Sequence, residues 1–92
     1  MNYEVFQSRR FARTYKRLHL DQAAVVDKEV ARLSMQPNLG EKKRGDLASL
    51  FVHKFKIQGQ LYLLGYTKDD VVRLIYLEAL GPHENFYRDL KR

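Results

Sequence analysis

The sequence predicts an α+β fold, in which an N-terminal strand and a helical hairpin pack on a mainly antiparallel sheet of about four strands, followed by a short C-terminal helix. Two observations predict it. Apolar residues within 1–40 recur mostly every three or four positions, the period of a helix. Apolar residues within 50–80 alternate or run together, as they do in strands. With 92 residues, the chain is expected to form a single domain over residues 1–92.

The first 40 residues predict one strand and two helices. Residues 2–6 form a short first strand, and Ser8 is placed to cap the helix that follows. Three apolar residues of this helix share one face, at spacings i, i+4 and i+7: Phe11, Tyr15 and Leu18. After a break, Asp21 is placed to cap a second helix, which residues 37–40 end.

The second half predicts three strands and a short helix. The strands are predicted at residues 50–57, 60–66 and 71–80. The helix is predicted at residues 84–92, after Gly81-Pro82 ends the last strand. In the first of these strands Lys54 and Lys56 share one face, because side chains alternate along a strand. We expect this face to lie opposite the helical hairpin and to be partly open, while His53 packs on the apolar face.

Composition narrows the class of protein. The formal charge is +6, from 17 Lys and Arg against 11 Asp and Glu, which indicates a nucleic acid, an acidic protein or another anionic partner. The chain has no cysteine, which excludes a disulfide scaffold and a thiol nucleophile. We expect no metal and no cofactor, because neither a metal-ligand spacing nor a phosphate-binding glycine loop occurs. With no membrane-spanning run and no signal peptide, we expect a cytoplasmic protein that does not bind membranes.

The cations form two clusters. The first lies on one face of the first predicted helix, opposite its apolar face: Arg9, Arg10, Arg13, Lys16 and Arg17. The second occupies a loop and the strand after it: Lys42, Lys43, Arg44, Lys54 and Lys56. Both patterns suit contact with a phosphate backbone, and both are also typical of solvated surfaces.

The segment GPHENFYR, which follows the last strand, carries groups suited to RNA cleavage. Attack by a 2′-hydroxyl needs one group to remove its proton, one to protonate the leaving 5′ oxygen, and cations to stabilise the charge at phosphorus. Histidine, here His83, is the side-chain type that titrates near neutral pH, and Tyr87 could stack on a base or donate a proton. Cations available to hold the phosphate are Lys54, Lys56 and Arg88. The alternative for both His83 and Tyr87 is a structural role.

The whole layout resembles the RelE/ParE superfamily of bacterial type II toxins. The resemblance covers essentially the whole chain and is most specific in the strands VHKFKI and QLYLLGY and in the closing ALGPHENFYRDLKR. It implies a RelE-like fold and a toxin that a cognate antitoxin neutralises. RelE-like members cleave messenger RNA without a metal, usually in the ribosomal A site. ParE-like members instead inhibit DNA gyrase and lack the nuclease residues.

Carried over residue by residue, the resemblance implies a catalytic set of four. Lys54 and Lys56 match the paired lysines of the RelE strand, Tyr87 matches the C-terminal tyrosine, and His83 falls near a cationic residue of the family. RelE-like nucleases also carry an arginine early in the third strand, where this chain has QLYLLGY and no arginine. Arg73, on the neighbouring predicted strand, is the candidate substitute.

The sequence therefore predicts the toxin of a toxin–antitoxin system that acts as a ribosome-associated endoribonuclease and arrests translation. The missing arginine leaves a gyrase inhibitor as the alternative. The expected partners are an antitoxin and messenger RNA or the ribosome, or alternatively DNA gyrase. The residues expected to bind RNA are Arg9, Arg10, Arg13, Lys16, Arg17, Lys42, Lys43, Arg44, Arg73 and Arg88.

Overall fold

The computed structural model describes residues 2–91, apart from the side chain of Asp46. Its helices are α1 (Arg9–Lys16), α2 (Leu20–Met35) and α3 (His83–Leu90), with a short 3-10 helix at Gly45–Leu47. Its strands are β1 (Glu4–Gln7), β2 (Glu41–Lys42), β3 (Phe51–Ile57), β4 (Gln60–Asp69) and β5 (Leu74–Pro82). The predicted α+β class is confirmed. Among the helices of the described range, none has the length and apolar content that crossing a membrane requires.

The strands form one sheet in the order β1-β5-β4-β3-β2. β1 runs parallel to β5, and the other neighbours are antiparallel. The sheet has one strand more than the roughly four expected. The extra strand, β2, is two residues long and pairs with Phe51 and Val52. The sequence gives no sign of it, because two charged residues have no apolar alternation and backbone hydrogen bonds hold them in place.

The start of α1 agrees with the sequence-based prediction, whereas the start of α2 differs from it. Ser8 caps α1 as predicted, since its Oγ accepts a hydrogen bond from the backbone N of Phe11 at 3.0 Å. The predicted cap of α2 at Asp21 is wrong by two residues. His19 is the N-cap, and its backbone N donates to Oε1 of Gln22 at 2.9 Å. Asp21 lies in the first turn, where an acidic side chain is also favourable.

The turn between β4 and β5 lies later than the sequence predicts. β4 continues to Asp69, and β5 begins only at Leu74. The carboxylate of Asp69 accepts hydrogen bonds from the backbone N of Val71 at 2.9 Å and of Val72 at 3.2 Å, which builds the turn. Two adjacent valines favour a strand, but here they are exposed in the turn, and Arg73 follows them with φ 58°.

The helical-hairpin face of the sheet, covered by α1 and α2, carries the larger core. Its buried side chains are Phe11, Val26, Leu33, Phe55, Ile57, Tyr62, Leu64, Tyr66, Ile75, Leu77 and Leu80. His53 packs here as predicted, with its ring 5.7 Å from that of Phe55. Its Nε2 lies 2.6 Å from Oε1 of Glu29, a hydrogen bond that connects β3 to α2.

The opposite side of the sheet, the α3 face, holds a smaller core under the C-terminal helix. Its buried residues are Leu50, Val52, Leu63, Ala79 and Phe86. Gly65 of β4 lies directly beneath α3. A Cβ at this position would come within 2.9 Å of Cζ of Phe86 and 3.3 Å of Cδ1 of Leu50. The helix therefore lies against the sheet because this strand residue has no side chain.

Replacing Gly65 by alanine is expected to destabilise the protein by about 1–3 kcal/mol, because the added methyl group overpacks the contact with Phe86. Gly81→Ala is the matched control. Gly81 lies on the neighbouring strand, and a Cβ there would meet nothing within 4 Å. We expect this variant to be neutral or slightly stabilising. Urea denaturation followed by far-UV circular dichroism compares the two, and equal midpoints would contradict the packing argument.

Candidate functional site

Lys54 and Lys56 are exposed on the α3 face of the sheet, as the alternation of β3 predicts. Phe55 and Ile57 are buried on the hairpin face, so the two lysines must emerge side by side on the other. Both lie opposite leucines of β4. A slip of one residue in the register would bury both charges, so the core fixes the position of the pair.

Helix α3 brings His83 and Tyr87 to the same face of the sheet. His83 is its first residue, directly after β5, and is exposed. The two residues are four apart in a helix, so they share a side of it as predicted. The ring of Tyr87 is half-buried and meets that of Phe86 edge-on at 5.1 Å. The backbone of β5 lies two strand spacings, roughly 10 Å, from that of β3, so His83 emerges near the lysine pair.

Lys43 joins this site from the loop after β2. Its Nζ lies 2.9 Å from Oε1 of Glu41 and 5.7 Å from the centroid of the Tyr87 ring. Lys43, and after it Lys54, lower the pKa of Glu41, so this carboxylate stays ionised beside the cations. The hydrogen bond to Glu41 is the main cause that raises the pKa of Lys43, and the nearby Tyr87 acts in the same direction. Lys43 thus bonds to Glu41 and lies beside the ring of Tyr87.

The other cations of this loop surround a basic cavity. The cavity has a volume of about 480 Å³ and is lined by Lys42, Lys43, Arg44, Gly45 and Ala48. Lys42 and Arg44 are exposed, whereas Lys43 is partly buried. Two exposed cationic side chains beside a partly buried one suit contact with an anionic backbone.

The cationic face of α1 is largely as predicted, with one exception. The exposed members are Arg9, Arg13, Lys16 and Arg17. Arg10 is half-buried, and its Nη1 donates to the backbone oxygen of Leu90 at 3.2 Å. The guanidinium of Arg10 thus connects α1 to the end of α3, which distinguishes it from the four exposed members of this face.

Arg73 does not replace the arginine that the third strand lacks. It lies in the turn before β5 rather than in a strand, and its guanidinium is 5.4 Å from the ring of Tyr3. β5 then runs about 26 Å before His83 begins α3, at about 3.3 Å per residue. Arg88 is on α3, but it is bound to Oδ1 of Asn85 at 2.9 Å and is exposed. Of the two arginines, Arg88 is the one near the site.

A second cavity lies on the other side of the sheet, between β1 and the helical hairpin. Its volume is about 560 Å³, and its lining is mainly apolar, including Val5, Phe6, Phe11, Val26 and Val30. The hydroxyl of Tyr15 donates to Asp27 at 2.6 Å at its edge. This cavity lies on the face away from Lys54, and the sequence patterns did not single it out, because its lining comes from four elements (β1, α1, α2 and β5) that meet only in the fold.

The comparison with protein families identifies the class. The family described as the ParE-like toxin of type II bacterial toxin–antitoxin systems matches residues 5–91. The chain belongs to this family and is a type II toxin of the RelE/ParE kind. Among curated proteins, none matches the chain.

Solved structures of RelE toxins have the same fold. The toxin–antitoxin complex RelBE2 of Mycobacterium tuberculosis is similar with a TM-score of 0.74 and 26% identity, over 90% of this chain and 100% of that one. A doubly substituted RelE toxin of Escherichia coli in the free state has a TM-score of 0.74 and 16% identity, over 99% of this chain and 92% of that one. The intact RelBE complex of Escherichia coli has a TM-score of 0.69 and 16% identity, over 86% of this chain and 94% of that one.

Proposed function

We propose that this toxin is a metal-independent endoribonuclease that cleaves messenger RNA in association with the ribosome and thereby arrests translation. One observation carries the proposal. Lys54 and Lys56 emerge side by side on the sheet face over which α3 lies, and α3 presents His83 and Tyr87 on one side. Cations, a titratable imidazole and an aromatic ring therefore converge on one face.

The reaction we propose is attack of a ribose 2′-oxygen on the adjacent phosphorus. The bond from the 2′-oxygen to phosphorus forms, the bond to the 5′-oxygen breaks, and the products are a 2′,3′-cyclic phosphate and a 5′-hydroxyl. Lys54 and Lys56 hold the non-bridging oxygens and stabilise the negative charge that accumulates on them. His83 transfers a proton as acid or base, and Tyr87 stacks on or orients a base.

The remaining exposed cations support binding rather than chemistry. They are Arg9, Arg13, Lys16 and Arg17 on α1 and Lys42, Arg44 and Arg88 near the site. Contacts of this kind go to phosphates and carry no sequence information, so they suit docking on ribosomal or messenger RNA. Affinity that depends on them falls steeply with salt concentration.

A gyrase inhibitor is the second candidate, and one observation favours it. The β4 residues opposite Lys54 and Lys56 are Leu63 and Leu61, so β4 adds no cation beside the pair. Under this alternative the basic α3 face binds a protein, and the chain cleaves no RNA.

Pulse labelling after induction distinguishes the two functions. Cells are labelled separately with methionine and thymidine within minutes of toxin expression. For the nuclease, incorporation into protein falls first, and primer extension finds new 5′ ends within coding regions. A selective fall in DNA synthesis, with intact messenger RNA, would favour the gyrase inhibitor and overturn the proposal.

We also propose a cytoplasmic setting and an antitoxin partner with an acidic segment. The charge of +6 favours such a segment. The free edge of β1, the apolar cavity beside it and the half-exposed Phe6 offer a place for an extended apolar stretch of the same partner. Co-expression with a small acidic protein encoded by the adjacent gene is expected to restore growth and to yield a copurifying complex.

A further inference from the structure

Lys43 differs from the cations on either side of it. Lys42 and Arg44 are exposed, whereas the side chain of Lys43 retains 21% of its exposure. Its backbone N donates to the oxygen of Leu50 at 2.8 Å, which fixes the start of the side chain. The ammonium group is fixed as well, at 2.9 Å from Glu41. A side chain held at both ends is poorly suited to follow a moving RNA backbone.

The ammonium group of Lys43 has the carboxylate of Glu41 and the ring of Tyr87 as neighbours. Glu41 lies 2.9 Å from this ammonium group and offsets part of its charge. The ammonium group lies 5.7 Å from the centroid of the Tyr87 ring, within the range of a cation–π contact. Phe86 meets the same ring edge-on at 5.1 Å. The ring therefore contacts both the core of the α3 face and Lys43, which is itself bonded to Glu41 of β2.

We propose that Lys43, anchored by Glu41, is a positioning residue that fixes the ring of Tyr87 against the RNA base beside the scissile phosphate. The inference rests on the proposed nuclease function. It assigns Lys43 an effect that passes through Tyr87, in contrast to Lys42, whose contact with RNA is direct. Misplacing a group that orients substrate lowers the rate of the chemical step by up to about 100-fold.

A double-mutant cycle tests this assignment. RNA cleavage is measured for Lys43→Met, Tyr87→Leu and the double variant, under single-turnover conditions with saturating substrate. We expect Lys43→Met to lower the cleavage rate about 10- to 100-fold, and to have no further effect once Tyr87 is leucine. Lys43→Arg, which keeps the charge, is expected to recover most of the rate. In the parallel cycle, Lys42→Met is expected to weaken RNA binding by the same factor with either residue at position 87.

Losses from Lys43→Met and Tyr87→Leu that multiply would overturn the assignment and make Lys43 an independent RNA contact. Fluorine NMR of fluorotyrosine-labelled toxin gives a readout that needs no activity. The Tyr87 signal, assigned by its loss in Tyr87→Leu, is expected to shift in Lys43→Met and to stay in place in Lys28→Met, which removes an exposed lysine of α2. An unmoved signal refutes the positioning role. A wild-type protein without cleavage activity, together with a shifted signal, refutes the nuclease function instead.

Discussion

Replacing Lys54 and Lys56 together by alanine is expected to abolish growth arrest and to lower RNA cleavage by at least about 1,000-fold. The two ammonium groups are the cations that β3 places side by side on the α3 face. Each is expected to stabilise the additional negative charge that develops on the non-bridging phosphate oxygens in the transition state. Because both side chains are exposed, their loss is expected to change stability by no more than about 0.5 kcal/mol each.

The matched control for this double variant removes two positive charges elsewhere. Lys28 and Lys91 are both exposed and lie outside the proposed site. Lys28→Ala with Lys91→Ala is expected to retain toxicity and cleavage, which separates a local effect from a change in net charge. Cleavage is assayed on programmed ribosomes with purified toxin, and circular dichroism confirms that each variant is folded. A toxin that keeps its activity without Lys54 and Lys56 would refute the nuclease site.

Replacing His83 by alanine is expected to lower the cleavage rate by about 100- to 10,000-fold, the range for removing a general acid or base. His83 is exposed at the first position of α3, so the variant is expected to fold with a near-native midpoint of unfolding. Binding of uncleavable RNA with a 2′-methoxy group is expected to change little. Comparing the cleavage rate with the affinity for uncleavable RNA shows whether the imidazole takes part in the reaction or only in RNA binding.

A substrate with a 5′-sulfur leaving group determines the direction of proton transfer. A thiolate leaves without protonation, so such a substrate restores cleavage by His83→Ala if the imidazole is the acid, and does not if it is the base. His19→Ala serves as the control, because His19 is also exposed but lies before α2. Equal cleavage rates for the wild type and His83→Ala would show that the imidazole takes no part in the reaction, although it lies near the lysines.

The parts of the site that the sequence predicted depend on local patterns. Alternation along one strand places Lys54 and Lys56 on the same face whatever the strand pairs with. Helical spacing does the same for His83 and Tyr87. Each pair could therefore be predicted without knowledge of the tertiary fold. That the two pairs share one side of the sheet was expected only through the family resemblance.

The parts that the sequence did not predict depend on contacts between distant segments. The pairing of Glu41 and Lys43 with Tyr87 joins positions more than forty residues apart, and β2 is too short to show a period. The displacement of Arg73 from the site arises because Val71 and Val72, which favour strands, are held in a turn by the carboxylate of Asp69. In the case of Arg73, one hydrogen-bonding side chain outweighs the local pattern.

The parallel pairing of β1 with β5 sets an order of events during synthesis. Glu4–Gln7 pairs with residues 74–77, and the hydroxyl of Ser8 binds the backbone oxygen of Glu78. The first strand therefore has no partner in the sheet until about seventy further residues have left the ribosomal exit tunnel. Helix α3 follows β5 in the chain, so His83 and Tyr87 reach the lysines of β3 later still. Any activity that needs the lysines of β3 together with His83 and Tyr87 therefore cannot begin before the last helix of the chain has docked on the sheet.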